Sequence, residues 1–405
     1  MTGWCAYFNP SNTKTNTMRL IPNQKNIGTA LLIVLLVAPL LFLNGCSSEK
    51  KDGDNADTTK RPVVIGYVGG FHGLLNTGNI EAKMLTHINY AFIDIKDGKA
   101  FLSNEKTDTT NFRQLNLLKA DNPDLKILIS IGGWAWSEHF SDAVLTDSSR
   151  KVFAKSSVDI IKKYNLDGVD IDWEYPGLPG EDGNVFRPED KQNYTEMFHA
   201  IRNELDVLEK ETGKKKLLTT AVAGWVEFLN ATEMGKAQSY LDYVNLMTYD
   251  LFQGDTAVHH ASLYPSNIYK TAKSVDNAVK GFHAAGVPME KLVVGLPFYG
   301  RMFTVAKLEK GLGQKQIKQQ YIDGYSYIKD SLVNKKGYKE YRDTVAKAPY
   351  LLNAETGDVL SYDDEESVRE KCKYVLANKL GGVMFWEYDS DPKKYLLNEI
   401  DKSLK

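Results

Sequence analysis

Short apolar runs alternate with longer amphipathic stretches along most of the chain. The runs fall at residues 63–68, 88–95, 125–131, 168–173, 217–222, 243–248, 292–296 and 381–386. Each has the length of a strand. Between most of them apolar residues recur at helical spacing, as in 149–164 and 191–212. Alternating strand and helix predicts a parallel sheet with right-handed crossovers. Eight such units in about 330 residues fit an α/β fold, the (β/α)8 TIM barrel. An open, doubly wound sheet is the alternative. No Gly-x-Gly-x-x-Gly loop follows the first run, which disfavours it.

The spacing of the runs breaks once. Roughly 80 residues separate the seventh from the eighth. Within that gap, 309–334 is charged and Tyr-rich, and 359–362 reads as a further strand. We expect a small α+β insertion over about 302–360. An insertion at the C-terminal end of a barrel strand stands on the face that carries active sites.

The N-terminus follows different rules. Arg19 and Lys25 precede an apolar run from Thr29 to Leu43 that ends Leu43-Asn44-Gly45-Cys46. About 15 residues is short for a bilayer span of about 20. The ending resembles a bacterial lipobox, in which the Cys carries lipid. The expectation is therefore a lipoprotein signal over 1–45, a lipid-anchored Cys46 and a polar tether over 46–61. An uncleaved transmembrane anchor is the competing reading. The first implies a place in the bacterial cell envelope, at the outer membrane, with the folded domain covering 62–405.

Composition narrows the rest. With 50 basic and 52 acidic residues there is no nucleic-acid signature. The first 45 residues hold Lys14, Arg19 and Lys25 and no acid, so their removal takes the formal charge from −2 to −5. Of three cysteines, Cys5 and Cys46 lie in or beside the signal, leaving Cys372 alone and no internal disulfide. A monomer is expected.

Residues 167–174 read Asp-Gly-Val-Asp-Ile-Asp-Trp-Glu. On a strand, Asp170, Asp172 and Glu174 share one face while Val169, Ile171 and Trp173 share the other. Like charges that close cannot all ionise freely. A solvated acidic edge strand is one reading, but the large apolar neighbours favour acids pointing into a confined space. A Mg²⁺ or Ca²⁺ site is another, although a Ca²⁺ loop would bring Gly and Asn turns. The seven histidines show no ligand cluster, and no metal or other cofactor is expected. His259-His260 reads as a surface loop and Lys214-Lys215-Lys216 as a solvated turn. Tyr67, Phe92, Trp134, Trp173, Tyr249 and Trp386 fall at predicted strand ends, where aromatic faces can stack on sugars. Trp134, Trp136 and Trp225 fit such a role and core packing equally well.

Asp167, Asp170, Asp172 and Glu174 match the D-x-x-D-x-D-x-E pattern of glycoside hydrolase family 18, and Trp173-Glu174-Tyr175-Pro176 extends the match toward its chitinases. Ser130-Ile131-Gly132-Gly133-Trp134, Met247-Thr248-Tyr249-Asp250, Gly295 to Arg301 and Gly381 to Trp386 resemble further motifs of the family, in the right order over nearly the whole domain. The resemblance implies retaining, substrate-assisted hydrolysis of β-1,4-linked N-acetylglucosamine polymers such as chitin. Glu174 would be the general acid. Asp172 would orient the substrate's 2-acetamido group, Asp170 would share a proton with Asp172, and Tyr249 would hold the acetamido oxygen. Substrate contacts would come from Tyr67, Phe92, Ser130, Trp134, Tyr175, Met247, Asp250, Arg301 and Trp386, with Asp250 and Arg301 paired and Trp386 as the floor. An endo-β-N-acetylglucosaminidase acting on N-glycan cores or peptidoglycan is the alternative, and a non-catalytic chitin-binding lectin a third. The resemblance also implies cis peptides at Ala91–Phe92, Glu174–Tyr175 and Trp386–Glu387.

Overall fold

The computed structural model describes residues 61–405 except 308, 310 and 323. The expected signal at 1–45, Cys46 and all of the expected tether but Arg61 lie outside the described residues. No helix among the described residues is long and apolar enough to cross a membrane.

Eight parallel strands close into a barrel. They are β1 (Val63–Gly69), β2 (His87–Lys96), β3 (Lys126–Gly132), β4 (Gly168–Asp172), β5 (Leu217–Ala223), β6 (Tyr243–Met247), β7 (Leu292–Pro297) and β8 (Gly382–Trp386). Each pairs with its neighbour in sequence, and β1 also pairs with β8, Val63 lying opposite Gly382. Closure leaves the barrel strands no free edge. The fold is a (β/α)8 barrel, and the open-sheet alternative is set aside.

Most strand positions are buried because both faces are covered. One face fills the barrel interior with Val63, Ile65, Tyr67, Ala221, Met247, Val293 and Met384. The other packs on the surrounding helices through residues such as Val64, Ile129, Val169, Ile171 and Leu246. Helix Asp147–Lys163 starts at Thr146, whose hydroxyl accepts from the Ser149 amide while the Ser149 hydroxyl accepts from the Thr146 amide. Helix Asp190–Thr212 ends at Gly213, in left-handed backbone with φ 67°.

Between β7 and β8 the chain builds an antiparallel five-stranded sheet from Gly300–Val305, Gln316–Ile322, Tyr338–Asp343, Ala348–Asn353 and Asp358–Ser361. Phe303, Val305, Leu312 and Val359 form its own core with Ala257 and Val258 of the segment after β6.

Two local readings need correction. His259 and His260 are buried, because the insertion covers the segment that carries them. Lys216 is also buried rather than solvated: its ammonium donates to the Leu166 carbonyl at 2.7 Å. The peptides Ala91–Phe92, Glu174–Tyr175 and Trp386–Glu387 are cis.

Candidate active site

Strand β4 supplies the acids. Its alternation sends Asp170 and Asp172 into the barrel and Val169 and Ile171 outward, where Trp173 stacks on Phe140 at 5.1 Å. Trp173 is therefore core and not a sugar platform. Asp167 stays at the start of the strand, where it accepts from the Ile127 amide at 2.8 Å and from Lys119 at 2.6 Å. Glu174 lies just past the strand's end.

The backbone there is crowded. Gly133 N–H donates to the Asp172 carbonyl at 2.7 Å. Gly132 has φ 108°, and a Cβ on it would stand 2.2 Å from that same carbonyl oxygen. Only glycine lets β3 and β4 approach so closely. Ser137, fully buried, donates to the Gly133 carbonyl at 2.8 Å and accepts the Glu174 amide at 2.9 Å.

Asp170 is fully buried and held by four donors. Tyr67 and Ser130 donate to Oδ2 at 2.9 and 2.8 Å, and Thr219 and Asn245 to Oδ1 at 2.5 and 3.2 Å. Burial raises its pKa and these hydrogen bonds pull it back. Asp172 differs. Its Oδ1 is buried and has no hydrogen-bond partner among the described residues. Burial raises its pKa well above the carboxylate range, and the charges of Glu174 and Asp170 add to this.

Glu174 is 9% exposed. Burial is the main reason its pKa is pushed up to about 7, with the charge of Asp250 adding and a hydrogen bond from Tyr175 opposing. A carboxyl poised there can give up a proton near neutral pH and take it back. Tyr249, at the end of β6, is buried beside these acids, with its hydroxyl 3.8 Å from Met384 Sδ.

Asp250 follows Tyr249 in left-handed backbone at φ 53°. Its carboxylate receives Arg301 Nε at 2.7 Å and Nη2 at 2.5 Å, and the Tyr299 hydroxyl at 3.0 Å. Burial alone would raise its pKa, but His260 and Arg301 together hold it well below the usual range.

Two aromatic groups line the mouth. On one side, Trp386 lies 5.3 Å from Phe92 and 5.9 Å from Tyr67, with Phe71 and Trp136 against Phe92. On the other, Tyr175 meets Trp134 at 6.3 Å and Trp225 at 5.3 Å. Trp134 is half exposed, Trp136, Trp225 and Trp386 are partly so, and Met247 is buried in the interior. Such partly open aromatic faces around carboxyl groups suit a carbohydrate. Among the described residues no group of three or more His, Cys, Asp or Glu could hold a metal ion. Ser137, Thr219, Asn245, Tyr299 and Phe71 were not foreseen. A period-two reading of 217–223 and 243–247 places Thr219 and Asn245 on an inward face; the other three lie beyond strand ends and carry no such signal.

The profile of the glycosyl hydrolases family 18 matches residues 63–391. Chitinase A1 of Niallia circulans is 36% identical over 450 residues, covering 93% of this chain and 62% of that protein. Chitinase B of Serratia marcescens is 32% identical over 392 residues, with 80% and 76% covered. Among solved structures, a family 18 N-acetylglucosaminidase from Paenibacillus barengoltzii superposes with a TM-score of 0.78 at 39% identity, covering 84% of this chain and 99% of that one. Chitinase ChiA74 from Bacillus thuringiensis gives 0.80 at 33% identity, with 85% and 70% covered. The chain thus spans about three fifths of the Niallia protein and nearly all of the Paenibacillus one.

Proposed function

The chain belongs to glycoside hydrolase family 18, and from that membership we propose that it cleaves β-1,4-linked N-acetylglucosamine chains with retention, using the substrate's own acetamido group. The observation that carries this reading is the pairing of a protonatable Glu174 with an Asp172 oxygen that is buried and unpartnered. An amide N–H of the sugar is the kind of donor that oxygen lacks. With its N–H bound there, the acetamido carbonyl can attack the anomeric carbon, and intramolecular attack gains from high effective molarity. Glu174 gives its proton to the glycosidic oxygen as the bond breaks. Asp172 steadies the positive charge that develops on the acetamido nitrogen. Deprotonated Glu174 then takes a proton from the water that opens the bicyclic intermediate. No carboxylate nucleophile is required, which sets this scheme apart from the usual two-carboxylate retaining enzymes.

Chitin oligomers fit this chemistry, and the insertion sheet after β7 favours a deep cleft for a linear chain. A lectin role is disfavoured because Glu174, Asp172 and Asp170 are all present. The test is proton NMR of fresh product from an N-acetylglucosamine hexamer, with a biantennary N-glycan and a peptidoglycan fragment run in parallel. The β anomer from the hexamer is expected. An initial α product, or cleavage of the N-glycan or peptidoglycan alone, would overturn the reading.

A further inference from the structure

We infer that His260 is a positioning residue whose imidazole holds the Asp250 carboxylate in place at the mouth of the barrel. The inference rests on the hydrolytic function proposed above, because it deepens the role of that same site.

Asp250 is an awkward residue to hold. A non-glycine side chain in left-handed backbone is uncommon, and this one is 27% exposed while its partners are more buried. Arg301 and Tyr299 approach it from the stretch after β7. His260 approaches from the loop after β6, with its side chain fully buried.

The imidazole has one partnered nitrogen, and both of its partners belong to Asp250. Nδ1 lies 3.2 Å from Asp250 Oδ1 and 3.4 Å from the Asp250 amide nitrogen. A carboxylate only accepts and an amide only donates. Protonated, Nδ1 serves the carboxylate; bare, it serves the amide. Either tautomer binds Asp250. The other nitrogen, Nε2, is buried and has no hydrogen-bond partner among the described residues. A buried nitrogen without a partner is costly, and an apolar side chain would fill the space at less cost. What the imidazole supplies beyond filling space is its contact with Asp250.

The histidine is itself well anchored. Its amide donates to Ser361 Oγ at 2.9 Å on the last strand of the insertion, and its carbonyl accepts the Leu251 amide at 3.0 Å. Its ring packs on Tyr299 at 5.4 Å. Burial also lowers the pKa of the ring, so it works as a neutral, directional group. Insertion, histidine and Asp250 form one mechanical link.

The test is a double-mutant cycle on the full chain. His260→Ala, His260→Asn, Asp250→Ala and the Asp250→Ala/His260→Ala pair are compared by kcat/KM and by melting temperature. Each is assayed on an N-acetylglucosamine oligomer and on an N-glycan, and the cycle is read on whichever the wild type cleaves. A change of substrate then refutes the function proposed above and leaves the histidine testable. His260→Ala should lose about tenfold or more, and the same change should cost less than about twofold once Asp250 is already Ala. His260→Asn, whose amide can donate to the carboxylate or accept from the backbone, should recover to within about threefold of wild type. Should the Ala variant fail to fold, His260→Gln replaces it, since its amide falls near the position of Nε2 and should not rescue. A His260→Ala loss that persists in full without Asp250, an Asn variant as impaired as Ala, or an unimpaired Ala variant would each overturn the assignment.

Discussion

Ser137 accepts the backbone N–H of Glu174 at 2.9 Å, from a helical turn that begins at the end of the neighbouring strand. The same hydroxyl donates to the Gly133 carbonyl, so a single side chain ties the backbone of Glu174, the proposed general acid, to the Gly132–Gly133 turn. Ser137→Ala leaves the buried amide of Glu174 without this partner. A destabilisation of about 1–3 kcal/mol is expected, with kcat/KM falling about tenfold as Glu174 loses its aim. Urea unfolding and steady-state kinetics check the two effects separately.

The raised pKa of Glu174 sets both activity and stability against pH. The acid must be protonated, so kcat/KM should decline on the alkaline side with a midpoint near 7. Glu174→Gln should lose about 10²–10⁴-fold in rate while still binding oligomer. The folded pKa lies above the ordinary 4.5. The folded chain therefore keeps a proton that the unfolded chain gives up as pH rises through 4.5 to 7, and stability drains away over that window. The Gln variant escapes this loss. It should be the more stable protein above pH 7, by a margin on the order of 3 kcal/mol at most. The margin should close below pH 4.5. Melting curves of both proteins across that range would expose an opposite trend.

Asp170 offers a contrast, because four donors converge on it. Asp170→Ala leaves Tyr67, Ser130, Thr219 and Asn245 without this shared partner in the buried interior. A loss of about 2–4 kcal/mol is expected. Asp172→Ala should cost much less, since its buried Oδ1 has no hydrogen bond to lose. Equal destabilisation by the two changes would contradict this division of labour. Both should be severely impaired as enzymes.

The proposed lipid site at Cys46 has its own assay. Cys46→Ala should move the protein from the membrane fraction to the soluble fraction with activity intact. Sedimentation with membranes after a carbonate wash would instead favour the spanning reading of the apolar run.

The barrel was legible because eight apolar runs, each buried on both faces, cannot be mistaken for amphipathic helices when Gly and polar turns bound them. The octad stood out for the opposite reason: Asp170, Asp172 and Glu174 break an otherwise apolar strand at period two. What escaped notice depends on tertiary cover. His259 and His260 look polar and loop-like in sequence, and only the insertion sheet, folded from residues about 40 to 100 positions later, buries them. Lys216 misled because its charge hides how much of its stem is apolar. Ser137 is one of many serines, and nothing local marks the one that faces an amide at the end of the neighbouring strand.

Because β1 pairs with both β2 and β8, the barrel cannot close until the last strand has been made. Val63 waits for Gly382. During synthesis, then, the first seven strands have no finished architecture to settle into, and β1 and β7 keep open edges. A message that stops short of residue 382, or a nick that removes the C-terminal segment, yields a chain with two unpaired edges rather than a slightly smaller enzyme. Such edges pair readily with other extended chains. Completeness of the chain is thereby written into whether the barrel is sealed, and a protease that samples exposed strands can read it without inspecting the active site.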